Sequence, residues 1–148
     1  MAIRDFRLIP QKGFHPLLLG MSGEQVERVM GATPKVAQSR SLPLEEDWFF
    51  PDSFARASMR DGRLVEASVT PPAKIWFQGQ SLFDADNLWR ELVATDGDAH
   101  ETLGFLVLRQ FGLALTGLHD GDAAQVAATV FEAGRWDQFS QKWKPFAL

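Results

Sequence analysis

The sequence predicts an α+β fold: an antiparallel sheet built of β-hairpins, with two main helices packed on one face. Three observations lead there. Ser22-Gly23-Glu24-Gln25 has the capping-box form that opens a helix. Asp61-Gly62 separates two alternating runs, a strong short-range hairpin signal. After Pro71-Pro72 the order of helix and then hairpin recurs. At 148 residues, 45% hydrophobic and 23% charged, the chain fits one domain over 1–148. It divides at the proline pair into degenerate halves, 14–70 and 73–137, followed by an aromatic tail, 138–148, expected to pack back on the domain.

The first helix is expected over about 22–31. Glu24 complements its dipole, Val26, Val29 and Met30 supply the apolar stripe, and Gly31 and Pro34 end it. Lys35–Glu46 is polar and reads as loop, with a short strand near Val36–Ser39. Asp47–Phe50 and Phe54–Arg60 are apolar runs leading to the Asp61-Gly62 turn. The arm after the turn sets Glu66 and Ser68 opposite Val65, Ala67 and Val69, one wet face and one buried. Lys74–Phe77 is a short strand. The second helix runs from about Asp84 to Thr95, with Asp84 or Asp86 as N-cap and Leu88, Trp89, Leu92 and Val93 as its stripe. Gly104–Arg109 and Leu113–Gly117 form a second hairpin. Gln125–Glu132 reads as strand on Thr129-Val130-Phe131, while its alanines leave helix as the alternative. Trp136, Phe139, Trp143 and Phe146 make the last segment too apolar for a loose tail.

Composition removes several chemistries. The chain has no cysteine, which excludes disulfides, zinc-thiolate sites and thiol nucleophiles. His15, His100 and His119 lack metal-pair spacing, and the latter two fall in polar turns. There is no glycine-rich phosphate loop and no nucleophile elbow. Asp96, Asp98, Glu101 and Asp120-Gly121-Asp122 fall short of a calcium loop and are explained by turn chemistry. No cofactor is expected, and the chain reads as a non-enzyme. The net charge of −4 disfavours direct nucleic-acid binding and favours partners with a basic surface. The first residues carry charge and no apolar secretory core, and no run is long enough to span a bilayer, so a cytoplasmic location is expected.

What remains is surface. Glu45-Glu46-Asp47-Trp48 sets three acids beside an aromatic, in a segment read as loop. Asp120, Asp122 and Trp136, with Arg135 and Asp137 alongside, form a second mixed group. Tryptophan and arginine anchor protein interfaces and acidic rims steer basic partners, so Glu45, Glu46, Asp47, Trp48, Asp120, Asp122 and Trp136 are the candidate partner-binding residues. The alternative places Trp48 and Trp136 in the core and the acids in solvated loops.

Leu19-Gly20-Met21-Ser22-Gly23-Glu24-Gln25-Val26 through Met30-Gly31-Ala32-Thr33-Pro34 resembles the entry helix of small α+β modules. Those modules include the outer-membrane assembly lipoprotein BamE and the β-lactamase inhibitory proteins. The second half, through Ile75-Trp76-Phe77-Gln78-Gly79, Leu103-Gly104-Phe105 and Val130–Asp137, is similar to small bacterial immunity partners of polymorphic toxins. The chain departs from the lipoproteins in having no lipidated cysteine, and from the secreted inhibitors in having no disulfides. The resemblance implies an immunity protein that binds a cognate toxin, such as a nuclease, and occludes its active site. Two other readings stand beside it. One is a small ligand-binding domain or enzyme with an aromatic-lined pocket near Trp76, Trp89 or Phe105. The other is an adaptor or chaperone of a secreted effector.

Overall fold

Period-two alternation runs through most of the chain and folds into two sheets. The computed structural model describes residues 2–40 and 42–148. The smaller sheet uses β1 (Asp5–Ile9), β2 (Gly13–His15), β3 (Leu17–Leu18), β8 (Lys74–Phe77) and β9 (Gln80–Ser81). Its order is β3-β2-β1-β8-β9, and β1 runs parallel to β8. The larger sheet is antiparallel and nine-stranded. It takes β4 (Lys35–Gln38), β5 (Glu45–Phe50), β6 (Ala55–Arg60) and β7 (Arg63–Val69) from the first half of the chain. From the second half it takes β10 (Ala99–Thr102), β11 (Phe105–Leu108), β12 (Leu113–Thr116), β13 (Ala127–Phe131) and the short β14 (Lys144–Pro145). The order is β14-β10-β11-β12-β13-β7-β6-β5-β4.

The chain is therefore α+β, with helices that are short and few. Helix α1 spans Gly23–Met30 and α2 spans Leu88–Asp96. Each precedes four antiparallel strands, β4–β7 after α1 and β10–β13 after α2. The unit that recurs is thus a helix with a four-stranded meander, larger than a helix with one hairpin. The two meanders join where β7 pairs with β13, Ala67 opposite Val130 and Ser68 opposite Thr129.

Helix α1 forms as its sequence dictates. The Ser22 hydroxyl accepts from the Gln25 amide, the Gln25 side chain accepts from the Ser22 amide, and Gly31 closes the helix with φ 65°. Gly23 is required by its neighbour: a Cβ there would lie 2.5 Å from the Trp48 indole. Helix α2 departs from expectation. Asn87, not Asp84 or Asp86, occupies the N-cap position and offers no side-chain bond. Asp84 instead accepts from the Ser81 hydroxyl and pairs with Lys74.

Alternation decides the two faces of the large sheet. The inner face carries Ala57, Ala67, Val69, Leu106, Leu108, Leu113, Leu115, Ala128 and Val130. These join one core with Val26 and Met30 of α1, Leu88 and Leu92 of α2, and Phe6, Phe14 and Ile75 of the small sheet. Both helices thus pack on one face, together with a second sheet that the sequence did not announce. The pairing of β6 with β7 shifts register between Ser58 and Met59: Met59 faces Leu64, and Ser58 faces Glu66. Val65 is the extra residue, so Leu64 joins Ala67 and Val69 on the inner face in place of Val65.

On the outer face the second half is covered, and the first half is covered where Arg135 lies over Glu45 and Glu66. The segment Arg135–Lys142 forms a 3₁₀ helix whose Trp136 packs with Val107, Ala114 and Phe131, backed by Phe105, Phe139 and Trp143. The tail thus packs back, and its strand β14 pairs with β10. Gln125–Glu132 resolves as strand, β13, preceded by a single 3₁₀ turn at Ala123–Gln125. Among the described residues, no helix is long and apolar enough to cross a membrane.

Candidate functional site

Strand β5 begins at Glu45, so the acidic segment read as loop is paired backbone, held by β4 on one side and β6 on the other. A strand sends successive side chains to opposite faces. Glu45 and Asp47 consequently enter the outer face, while Glu46 and Trp48 take the inner side. The four residues do not form one contact patch, which corrects the sequence expectation.

Glu45 is 1% exposed and lies inside the protein. Its two oxygens accept from both terminal nitrogens of Arg135, with Nη2 to Oε1 at 2.6 Å, and Arg60 approaches to 4.0 Å. Asp47 accepts from the Ser58 hydroxyl at 2.9 Å and from Arg56 at 3.4 Å. Arg56 reaches on to Glu66 at 3.0 Å and Ser68 at 2.7 Å, and also contacts Ser58. Glu66 accepts from Arg135 Nε at 3.3 Å and from Trp136 Nε1 at 2.8 Å. The result is a chain of alternating charge across the outer face: Asp47, Arg56, Glu66, Arg135, Glu45, Arg60.

Three acids meet three arginines, so the chain of charges is neutral. Burial opposes the Arg135 charge, but the hydrogen bonds it donates to Glu45 and the negative charge of nearby Glu66 outweigh it and raise its pKa above the ordinary arginine value. Each acid accepts from more than one donor, which is what burying a carboxylate requires. As chemistry, the arrangement holds charge in place. As a surface, it presents Arg56 and Asp47, each about a quarter exposed, beside Phe49, 39% exposed.

The other candidates scatter. Trp136 is 8% exposed and stacks on Phe131, so it is an interior residue, not an exposed anchor. Trp48 is half-buried against the main core. Asp120 and Asp122 are exposed and serve turn chemistry: Asp122 accepts from the Ala124 amide and Asp120 from the Asp122 amide. Among the histidines, His100 lies in β10 and not in a turn. His119 is buried rather than solvated, its side chain 6% exposed beside Glu101. Among the described residues, no group of three or more His, Cys, Asp or Glu is placed to hold a metal.

Compared with protein-family models, curated proteins and solved structures, the chain matches none.

The site must therefore speak for itself. Sequence reasoning missed Arg56 and Glu66, its two central members. Their signal was present: Arg56 and Ser58 alternate with Ala55, Ala57 and Met59, and Glu66 and Ser68 with Ala67 and Val69. Polar residues facing one another across a hairpin share a face. Arg135 stood out only as a neighbour of Trp136, and nothing local announced its pairing with Glu45, 90 residues away.

Proposed function

We propose that this chain is an immunity protein, a binding module that neutralises a bacterial protein toxin by covering its active site. One observation carries the reading: the outer face of the large sheet is covered over β10–β13 and, by Arg135, at Glu45 and Glu66, but is partly open beside them, where Phe49, Arg56 and Asp47 stand exposed or partly so. A preordered sheet surface with an aromatic, an arginine and fixed charges has the makings of an interface, since little entropy is lost in ordering it. The free edge beside it, β4, is exposed at all four residues, with Val36 53% exposed. Exposed Asp52 and Asp61, at the two ends of β6, flank this face and complement a basic partner such as a nuclease. The similarity of the second half to small bacterial immunity partners supports the same assignment.

The decisive experiment is to look for a toxin gene beside this one and to co-express its product with the chain, reading complex formation and cell survival. Protection with a stable complex is expected. Phe49→Asp is expected to weaken binding by about 30-fold, the scale of an interface hot spot. Absence of both binding and protection would sink the assignment; binding without inhibition would mark an adaptor instead. A second reading, a ligand-binding domain, draws on a pocket beside Phe105. Trp89 is core, and Trp76 is a surface residue bonded to Asp5, so neither lines it.

A further inference from the structure

We propose that the free side of β4 is a self-association surface, on which a second copy of this chain adds its own β4 antiparallel to make one continuous sheet. The inference does not rest on the toxin-binding reading, since it needs no other protein. The margins of the two sheets are β3, β9, β14 and β4. An unpaired margin offers backbone donors and acceptors to any strand that can lie along it, and short strands or proline blunt it. Strands β3, β9 and β14 are blunted in this way: each has two residues, and β14 ends in Pro145. Strand β4 has four, Lys35-Val36-Ala37-Gln38, all exposed and none of them proline.

The register of β4 fixes what its free side offers. The Ser39 amide donates to the Glu45 carbonyl, and alternate residues of an antiparallel strand bond to the same side. Lys35 and Ala37 therefore turn their backbone groups to Phe49 and Asp47 of β5, while Val36 and Gln38 turn theirs to the free side. A two-fold axis at Ala37 sets Val36 of each copy opposite Gln38 of the other. Both outward N–H groups then meet both outward carbonyls, so the whole outward set of β4 finds partners within the strand. The side chains agree with that register. Ala37 meets its own copy at a non-hydrogen-bonded position, where Cα atoms approach to about 4.5 Å and a small residue fits. Lys35 lies opposite Ser39, so no like charges face each other across the seam. Val36, 53% exposed, comes against Gln38, whose side-chain amide is already held by the Pro43 and Glu45 carbonyls. Pro34 falls opposite Arg40, and its missing N–H ends the ladder there. The axis stands perpendicular to the sheet, so Phe49 and Arg56 of both copies come onto one surface. A single short strand buries less than about 1,200 Å², so a weak dimer is expected, with a Kd of about 0.1–1 mM.

The test joins sedimentation equilibrium of the full chain, from about 10 µM to about 1 mM, with cysteine cross-linking. A reversible monomer–dimer equilibrium is expected. Val36→Pro removes an N–H that the monomer does not use, at a sheet margin where proline is tolerated. It is expected to weaken the dimer by about tenfold or more, through the hydrogen bond lost from each copy. The chain has no cysteine, so an introduced one can bridge only to a second copy. Ala37→Cys, on the axis and within the reach of about 4.4–6.8 Å that a disulfide spans between Cα atoms, is expected to form a covalent dimer in a glutathione buffer. Lys35→Cys, also exposed but opposite Ser39, is expected to cross-link several-fold less. A constant monomer mass up to about 1 mM would overturn the proposal. So would equal cross-linking at the two positions, or undiminished dimerisation in Ala37→Lys, which sets like charges on the axis, if the proline variant does not fold.

Discussion

Glu45 shows what a single buried charge demands. Its carboxyl group sits at 1% exposure, and Arg135 meets it with two nitrogens. Removing one partner of a buried pair leaves the other uncompensated, so Arg135→Ala is expected to cost about 3–5 kcal/mol in urea unfolding. The double variant Glu45→Met/Arg135→Met is expected to recover most of that loss, because the apolar pair needs no partner, while Glu66 keeps Arg56 and Trp136. A second residue-scale test concerns Asp84. The Ser81 hydroxyl, and after it Lys74, hold its carboxyl below the ordinary value of 3.8. A depressed carboxylate stabilises the fold above its unfolded pKa, and that contribution fades as pH falls through the folded one. Carboxyl-carbon titration by NMR should therefore find the Asp84 midpoint below 3.8, and Ser81→Ala should raise it.

Elements announced by cap or turn chemistry were readable, and those without such a signal, or paired only across the chain, were not. Helix α1 was legible to its caps because Ser22, Gln25 and Gly31 satisfy backbone groups within a few residues. Ser22→Ala is expected to cost about 1 kcal/mol, and a calorimetric scan should show a fall of roughly 2–4 °C. The β6–β7 hairpin and β8 were legible for the same local reason. Strands β1 and β10 were missed although each closes a local hairpin, β1 with β2 and β10 with β11, because neither turn carries the Asn-Gly or Asp-Gly signal, and β14 pairs with β10 more than forty residues away. The start of β5 was hidden by composition: Glu45-Glu46-Asp47 looks like solvent-exposed loop, and only the distant Arg135 makes it affordable inside. At Asp84 and Asp86 cap chemistry pointed to the wrong residue, since Ser81 claims one carboxylate and the helix starts later. Within the β12–β13 connection, Gly117 has φ 79° and a Cβ there would meet Asp122 O at 2.6 Å. Gly117→Ala is expected to lose about 2 kcal/mol or more by denaturant unfolding, as a strained backbone and a backbone clash combine.

At the scale of the molecule, one sheet made from both halves holds the structure together. Its centre, β7 against β13, is covered on the inner face by the main core and bridged on the outer face by the 2.7 Å contact of Ser68 with Thr129. Its margins, β4 and β14, have a free side each. Native-state hydrogen exchange is therefore expected to be slowest in β7, β12 and β13 and fastest in β4 and β14. The candidate interface sits toward the exposed margin, away from the C-terminal segment that covers the other half of the outer face. The charges on the outer face also bear on how the chain is made. Glu45 and Glu66 leave the ribosome 90 and 69 residues ahead of Arg135, the cation they share. Until Arg135 has been made, Glu45 lacks the cation that meets both its oxygens, while Glu66 already has Arg56 in its own hairpin. A message cut short before that arginine yields a polypeptide with one unmatched interior acid, a marked target for proteases. A single codon thus decides whether the outer face of the first half can close.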